Sequence, residues 1–316
     1  MKELGIGHSH AKIILIGEHS VVYGQPAIAL PLPDVKMTAT ITPATNGHTI
    51  ASEYFTGAIS DLPDKMSGVQ KLVQALIERF HGQNDPWNLT IESDLPAERG
   101  MGSSAATAVA IVRAFFDYYE AALDRGLLLQ LADIEEEITH RSPSGLDAAT
   151  VSSKQPLFFI KGQAGTPFQM HLTGTMVIAD TGIKGATKEA IEAVQEQLRD
   201  NHQSTVAHID HLGKLSTACK EFLTNNELMK LGTSLNAAQA DLAELNVSSP
   251  ELDHLIQVAR EHGAIGAKLT GGGRGGCMFA ITQTALDARK IATVLTNHGA
   301  KQVWLQPLEE SEAGKA

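Results

Sequence analysis

Cysteine is scarce in this sequence. The two thiols, Cys219 and Cys277, lie far apart in a chain of 316 residues. Two distant cysteines do not build a disulfide framework, and such sparse usage is typical of a reduced, cytosolic setting. We therefore expect both thiols to be structural.

Long hydrophobic runs are also lacking. The most apolar stretch, Ala105–Phe116, contains Arg113 and is shorter than the ~20 residues that span a bilayer. The segment Met1–His10 does not show the basic stretch followed by an apolar stretch that a secretory signal requires. We expect a cytoplasmic protein with no membrane partner.

Basic residues are in the minority. The sequence has 25 Lys and Arg against 36 Asp and Glu, which gives a formal net charge of −11. This balance argues against a nucleic-acid or membrane-surface partner held by a general positive field. An anionic substrate would need a local cationic site instead.

Fixed-period repeats and low-complexity tracts are missing from the sequence, which excludes solenoids and linker-rich arrays. Hydrophobic residues make up 43% and charged residues 19%, which is ordinary globular usage. Because the chain is longer than the ~250–300 residues that one core usually supports, we expect two domains. One very large core is the alternative.

Strand and helix patterns are mixed along the chain. Short β-branched segments bounded by Gly, Pro or polar residues predict strands at Lys12–Ile16, Met37–Thr42, Leu89–Ser93, Leu157–Ile160, Met176–Ala179 and Cys277–Ile281. Helical periodicity predicts helices at Ser67–Phe80, Ser103–Ala122, Leu127–His140, Thr187–Asn201, Thr205–Thr224, Glu227–Leu245, Pro250–His262 and Ala285–His298. Pro167 and Thr173-Gly174 interrupt the pattern, so we predict domains at 1–170 and 171–316.

A glycine-serine segment opens the alanine-rich helix. Its residues are Pro96, Ala97, Glu98, Arg99, Gly100, Met101, Gly102, Ser103 and Ser104. A helix N-terminus offers unpaired N–H groups and a positive dipole end, and glycines let a phosphate approach them. The plainer interpretation, that Ser103 caps the helix and the glycines form a tight turn, is equally compatible with the segment. The sequence contains no P-loop, and no G-x-G-x-x-G fingerprint with a downstream acidic partner supports a dinucleotide fold.

A second glycine-rich loop, Thr270–Cys277, has five glycines in six positions and is interrupted by Arg274. Such a run costs backbone entropy, so it indicates close approach of the backbone to a ligand or to another segment. A flexible turn is the weaker interpretation. The guanidinium of Arg274 could reach an anionic ligand or point to solvent.

Three motifs in this order resemble those of the GHMP kinase superfamily. They are KIILIGEHSVVYGQPAIAL at 12–30, PAERGMGSSA at 96–105 and KLTGGGRGGC at 268–277. The resemblance implies an α+β fold of two domains, an N-terminal domain like ribosomal protein S5 domain 2 and a ferredoxin-like C-terminal domain. It also implies an ATP-dependent kinase for a small-molecule alcohol, with ATP and Mg²⁺ as cofactors.

The first motif discriminates among acceptors. Gly17-Glu18-His19 followed by Gly24 is similar to the version in mevalonate kinases, whereas galactokinases carry an Asp-Tyr pair after Gly-Glu-His and phosphomevalonate kinases usually have Gly-Glu-Tyr. The resemblance therefore implies phosphorylation of mevalonate in isoprenoid biosynthesis. Phosphomevalonate or sugar kinases and a non-catalytic metabolite sensor are the alternatives. The sequence is silent on oligomeric state, and a homodimer is compatible with it.

The resemblance also implies site residues. Asp147, within Pro143–Asp147, is expected to be the catalytic aspartate, with Lys12 beside it favouring the ionised carboxylate. Ser104 and Glu136 are expected to hold the metal, although Glu135 or Glu137 could take the place of Glu136. In the plainer interpretation the three glutamates form a solvated helix face, which we expect for at least one of them.

On the substrate side, the resemblance implies Glu18, His19, Thr181 and Gly272. His19 is expected to donate to the carboxylate or hydroxyls of mevalonate. The match around Thr181 is loose. Met101 stands where the family usually has Leu, which conserves volume.

Overall fold

The computed structural model describes residues 1–96, 99–139 and 145–308. The chain divides into two compact units. Unit 1 comprises Met1–Lys12, Pro31–Ala97 and Gly102–Lys154, and unit 2 comprises Ile13–Leu30, Glu98–Met101 and Gln155–Ala316.

The strands of the described residues are β1 (Gly5–Ile16), β2 (Ala27–Pro43), β3 (His48–Ala51), β4 (Thr56–Ala58), β5 (Trp87–Ser93), β6 (Leu157–Phe159), β7 (Thr166–Pro167), β8 (Thr175–Asp180), β9 (Gly266–Thr270), β10 (Cys277–Thr282) and β11 (Gln302–Pro307). The helices are α1 (Ser67–Arg79), α2 (Ser103–Tyr118), α3 (Arg125–Thr139), α4 (Leu146–Val151), α5 (Thr187–Asp200), α6 (His202–Thr224), α7 (Leu228–Glu244), α8 (Pro250–Glu261) and α9 (Ala285–Asn297). Each predicted strand and each predicted helix overlaps one of these elements.

The first sheet has the order β4-β3-β5-β2-β6-β7, and β1 also pairs with β2. The long strand β2 pairs antiparallel with β5 through Met37–Pro43 and with β6 through Ala27–Ala29. Helix α2 packs against α1, α3 and α4. Its small and aromatic side chains are almost all buried, which explains why an alanine-rich sequence forms the central helix of unit 1.

The second sheet, in unit 2, has the antiparallel order β11-β8-β10-β9. All residues of β8, β9 and β10 are buried, and helices α7, α8 and α9 pack on these strands. An antiparallel sheet covered by helices matches the predicted ferredoxin-like arrangement. No helix in the part of the chain that the structure describes has both the length and the apolar character to cross a membrane.

The chain passes from unit 1 to unit 2 between Lys154 and Gln155. This is the change of unit nearest the predicted boundary at 170. Both units are discontinuous, because β1 and β2 each pass from one unit into the other along the chain. The single boundary at 170 stays a prediction.

Candidate active site

Lys12 and Asp147, the two predicted catalytic residues, meet in unit 1. Lys12 lies in β1, Asp147 lies in the first turn of α4, and the distance from Nζ to Oδ1 is 2.9 Å. The lysine side chain is 4% exposed and the aspartate side chain 35% exposed. Lys12 is therefore not a surface lysine, and the carboxylate of the ion pair remains accessible.

Gly102, which has no side chain, leaves space for the Lys12 side chain beside the start of α2. It is the N-cap residue of α2 with φ 75°, and a Cβ there would lie 2.9 Å from Lys12 Cγ and 3.0 Å from Lys12 Cε. Ser103 is the first residue of the helix, and no side chain within the described ranges caps this end. The first N–H groups of α2 lack intrahelical acceptors, which is the property that suits a helix end to an anion.

The predicted metal residue Ser104 donates a short hydrogen bond to the carboxylate of Glu135. Glu135 and Glu136 are both buried on α3, whereas Glu137 is exposed. The solvated-face interpretation thus describes Glu137. The structure places Ser104 against the neighbour of the glutamate that the resemblance implied.

Negative charge is concentrated around Glu136. Burial, together with the carboxylates of Asp147, Asp133 and Glu135, raises the pKa of Glu136 to about 8 against the opposing charge of Lys12. A cation bound here would offset this repulsion.

Hydroxyl and carboxylate oxygens form the kind of donor set that Mg²⁺ prefers. Within residues 1–96, 99–139 and 145–308, no group of three or more His, Cys, Asp and Glu side chains could hold a metal ion. The Ser104 hydroxyl and the carboxylates of Glu135 and Glu136 are oxygen donors of the kind that Mg²⁺ prefers.

Arg99, predicted to contact ATP, binds a protein carboxylate in unit 2. Its Nε lies 2.9 Å from Asp180 Oδ1, and its Nη2 donates to the Gly182 carbonyl at 3.2 Å. The Asp180 side chain is only 3% exposed. Arg99 thus anchors the start of the glycine-serine segment to the end of β8.

The remaining residues of that segment are placed as follows. Pro96 is half-buried, Met101 is fully buried in keeping with the volume-conserving exchange for Leu, and a Cβ at Gly100 would lie 3.3 Å from Gly271 Cα. Ala97 and Glu98, like Pro143 and Ser144 of the Asp147 motif, lie outside the described residues.

Glu18, predicted to bind substrate, is buried in unit 2 beside a lysine of β9. Lys268 Nζ lies 2.5 Å from Glu18 Oε1, and the two side chains are 0% and 1% exposed. Glu18 therefore makes an internal ion pair.

His19 is held by the glycine-rich loop. Its Nε2 lies 3.0 Å from the Gly272 carbonyl oxygen, so this nitrogen carries the proton and donates. Burial and the charge of Lys268 together lower the pKa of His19 to about 4, although the hydrogen bond to the Gly272 carbonyl opposes them. The neutral ring then presents Nδ1 as an acceptor. A hydroxyl suits this nitrogen, whereas the predicted donation to a carboxylate would need a proton there.

Thr181 and Gly272 both lie in unit 2. The Thr181 hydroxyl donates to the Gly276 carbonyl at 2.7 Å, and Thr181 Oγ1 accepts from the Ile183 N–H at 3.2 Å. A Cβ at Gly272 would lie 2.1 Å from Thr187 Oγ1. The close approach predicted for the glycine-rich loop is therefore made, at this position, to another segment of the protein.

The guanidinium of Arg274 makes two hydrogen bonds to the backbone of unit 2. Its Nε and Nη2 donate to the Asn246 carbonyl just beyond α7, at 3.2 and 3.1 Å. It has φ 53°, a conformation that glycine adopts more readily. The guanidinium fastens the glycine-rich loop to the end of a helix.

Two residues of these clusters, Lys268 and Asp180, were not predicted, and neither was the hydrogen bond of Glu135. Lys268 and Asp180 each stand in or directly after an apolar run, Ala267–Leu269 and Met176–Ala179. A charge within an apolar strand was the available signal, since a buried charge needs a partner. The sequence could not name the partner.

Known families match this chain over two regions. Residues 67–154 match the GHMP kinases N terminal domain, and residues 215–301 match the GHMP kinases C terminal domain. A mevalonate kinase of Pyrococcus horikoshii is 31% identical, with 90% of each chain covered.

Solved structures agree with the family match. The mevalonate kinase of Staphylococcus aureus MRSA252 is 32% identical with a TM-score of 0.76, covering 97% of this chain and 99% of that one. The L. major mevalonate kinase in complex with R-mevalonate is 25% identical with a TM-score of 0.84, covering 98% and 97%. The predicted two-domain α+β fold is confirmed. The chain thus belongs to the GHMP kinase superfamily and, within it, to the mevalonate kinase family.

Proposed function

We propose that this chain transfers the γ-phosphoryl group of ATP to the 5-hydroxyl of mevalonate and releases 5-phosphomevalonate, a step of isoprenoid biosynthesis. The Lys12–Asp147 ion pair beside the start of α2 is the observation that supports this most directly. Phosphoryl transfer to an alcohol needs a placed hydroxyl, anchored phosphates and positive charge where the transition state gathers negative charge.

Asp147 is the proposed general base. Its accessible carboxylate accepts the proton of the attacking hydroxyl, or orients that hydroxyl, while Lys12 fixes the carboxylate from its buried side. The Lys12 ammonium adds the positive charge that stabilises the phosphoryl group in transit. The N–H groups at the start of α2 are the proposed donors to the phosphates of ATP.

The proposed ligands of Mg²⁺ are Ser104 and Glu136, with Glu135 beside them as the acceptor of the Ser104 hydroxyl. When bound, the ion neutralises phosphate charge. Glu136 must give up its proton to become a ligand, so we expect metal binding to strengthen as pH rises towards 8.

The direct test incubates the purified protein with Mg-ATP and mevalonate and detects 5-phosphomevalonate by mass spectrometry. A panel with phosphomevalonate, galactose and homoserine defines the acceptor. The Asp147→Asn variant should lose most turnover, by about 10³-fold or more, and should bind ATP as the wild type does, because the triphosphate is held elsewhere. Wild-type turnover in a folded Asp147→Asn variant would contradict the role, and preference for another acceptor would contradict the substrate.

Two further predictions concern the residues that contact the substrate and the oligomeric state. Glu18, His19, Thr181 and Gly272 stay predicted substrate residues, and a homodimer stays a prediction that light scattering can decide.

A further inference from the structure

A tight turn at His19 stands out in the backbone of unit 2. His19 has φ 59° and ψ −45°, and the Ser20 N–H donates to the Glu18 carbonyl at 2.6 Å, which closes a γ-turn around a single residue. The positive-φ form of this turn is rare and strained. A residue other than glycine keeps such a conformation only where the surrounding structure imposes it.

The contacts that impose it come from β9 and the loop that follows. On one side of the turn centre, the Lys268 ammonium lies 2.5 Å from the Glu18 carboxylate. At the centre, the His19 ring donates to the Gly272 carbonyl. Before the turn, Thr270 Oγ1 accepts from the Ile14 N–H at 3.0 Å and donates to the Ile14 carbonyl at 2.9 Å.

Lys268 itself is fixed on several sides. Its Nζ also donates to the Leu269 carbonyl at 2.6 Å and lies 5.4 Å from the centre of the Phe279 ring. The side chain is fully buried. The position of the Lys268 ammonium is therefore set by β9 and β10. Glu18 forms the ion pair only when its carboxylate lies at that position.

Stability does not account for this pair. Two buried charges lose their hydration, and apolar side chains of similar volume are often as stable or more so. An ion pair with a hydrogen bond differs from an apolar contact in that it fixes direction. Glu18 directly precedes the strained residue His19 in the chain. An ion pair that fixes the direction of the Glu18 side chain therefore also restrains the turn.

We propose that Lys268 is a positioning residue for the acceptor substrate: it holds Glu18, and through Glu18 it keeps the His19 turn in the geometry that presents the ring to the substrate. This inference rests on the proposed function, since it takes mevalonate as the ligand of His19. It assigns Lys268 no contact with the substrate.

The first experiment compares Lys268→Met with the wild type in steady-state kinetics. We expect the KM for mevalonate to rise at least tenfold while the KM for ATP changes less than twofold. Lys268→Arg, which keeps a cation, should recover part of the loss. Equal changes in both KM values, or no change in the KM for mevalonate, would overturn the proposal.

A matched control separates positioning from a general loss of stability. Asp241, on α7 of unit 2, is buried and accepts from His208 and His211 of α6 at 2.9 and 2.7 Å. Asp241→Ala removes buried polar contacts of the same unit that do not involve Glu18, His19 or Lys268. If it raises the KM for mevalonate as much as Lys268→Met does, the effect of Lys268 is merely structural and the proposal fails.

Lys268→Met leaves a buried carboxylate, so it could fail to fold. The double variant Glu18→Gln/Lys268→Met removes both charges and avoids this problem. It should show the same selective rise in the KM for mevalonate. Wild-type kinetics in the folded double variant would show that the ion pair is dispensable.

A readout without substrate keeps this test independent of the proposed function. In the wild type, NMR of ¹⁵N-labelled histidine should show the His19 ring protonated at Nε2, with its hydrogen-bonded shift. We expect that signal to change in Lys268→Met and in Glu18→Gln/Lys268→Met, and to stay in Asp241→Ala. An unchanged His19 signal would overturn the positioning role even if the wild type phosphorylated another acceptor, whereas a wild type inactive on mevalonate would refute the proposed function alone.

Discussion

Replacing Gly102 by Ala tests whether that glycine is required for the placement of Lys12. The new Cβ would lie 2.9 Å from Lys12 Cγ and 3.2 Å from Val151 Cγ1, in a backbone with φ 75°. Carbon atoms pack best at about 3.5–4.0 Å, so the lysine side chain must retreat by about 0.5–1 Å. Val151 limits the space on the other side.

That retreat lengthens the 2.9 Å distance from Lys12 to Asp147. At an effective dielectric constant of about 20, an increase of about 1 Å weakens the attraction by about 1.5 kcal/mol, or about tenfold in rate if all of it is felt in the transition state. Misplacement of a catalytic group by about 1 Å can cost about 10²-fold. We therefore expect kcat to fall by about 10- to 100-fold.

The matched control is Gly162→Ala. Gly162 has φ 82°, close to that of Gly102, and a Cβ there would have open space around it. Both variants carry the backbone cost of about 1–2 kcal/mol for an L-residue in this region, but only Gly102→Ala displaces Lys12. Thermal midpoints and kcat for both variants give the comparison. If kcat of Gly102→Ala stays within twofold of Gly162→Ala, the glycine does not serve to make room for Lys12.

Two further predictions concern the metal residues. Ser104→Ala should raise the KM for Mg-ATP by about tenfold and leave the KM for mevalonate within twofold. The reason is that it removes a hydroxyl worth about one hydrogen bond to a charged partner. Equal effects on the two KM values in the same assay would contradict the proposal that Ser104 is a metal ligand. Glu136 has a pKa of about 8 in the folded chain against 4.5 as its ordinary value, so the unfolded chain binds fewer protons between these values and stability falls as pH rises. In metal-free protein the thermal midpoint should therefore fall more between pH 5 and pH 8 in the wild type than in Glu136→Gln, and parallel curves would refute the buried position of Glu136.

The long amphipathic helices were predictable because their information is local. Periodicity over 12 or more residues placed α1, α2 and α5 to α9 within a few residues of their observed bounds. Helix α4 was missed, since six residues are too few to show a helical period, although it holds Asp147. Strands β3, β4, β7, β9 and β11 were missed too; a lysine within the short apolar run of β9 hides its strand character.

In the predicted site, too, local motifs were predictable and non-local contacts were not. The sequence brought Lys12, Asp147 and the Gly102–Ser104 segment together through their motifs, and the structure places them within one unit. The sequence did not distinguish Glu135 from Glu136, because adjacent helical residues differ only by a rotation of about 100° that packing converts into different neighbours. Arg99 and Glu18 stay predicted ligand contacts, and the sequence did not predict that each pairs with a buried charge of the protein.

By itself, therefore, the sequence determined the family, the long helices and the proposed catalytic pair, all of which depend on residues close in the chain or on motifs already known. Only the tertiary structure decided which charges neutralise one another: Glu18 with Lys268, and Arg99 with Asp180. These partners are separated by long stretches of chain. A buried ion pair requires two groups to meet in space after the strands have paired, and nothing in either local sequence specifies the other.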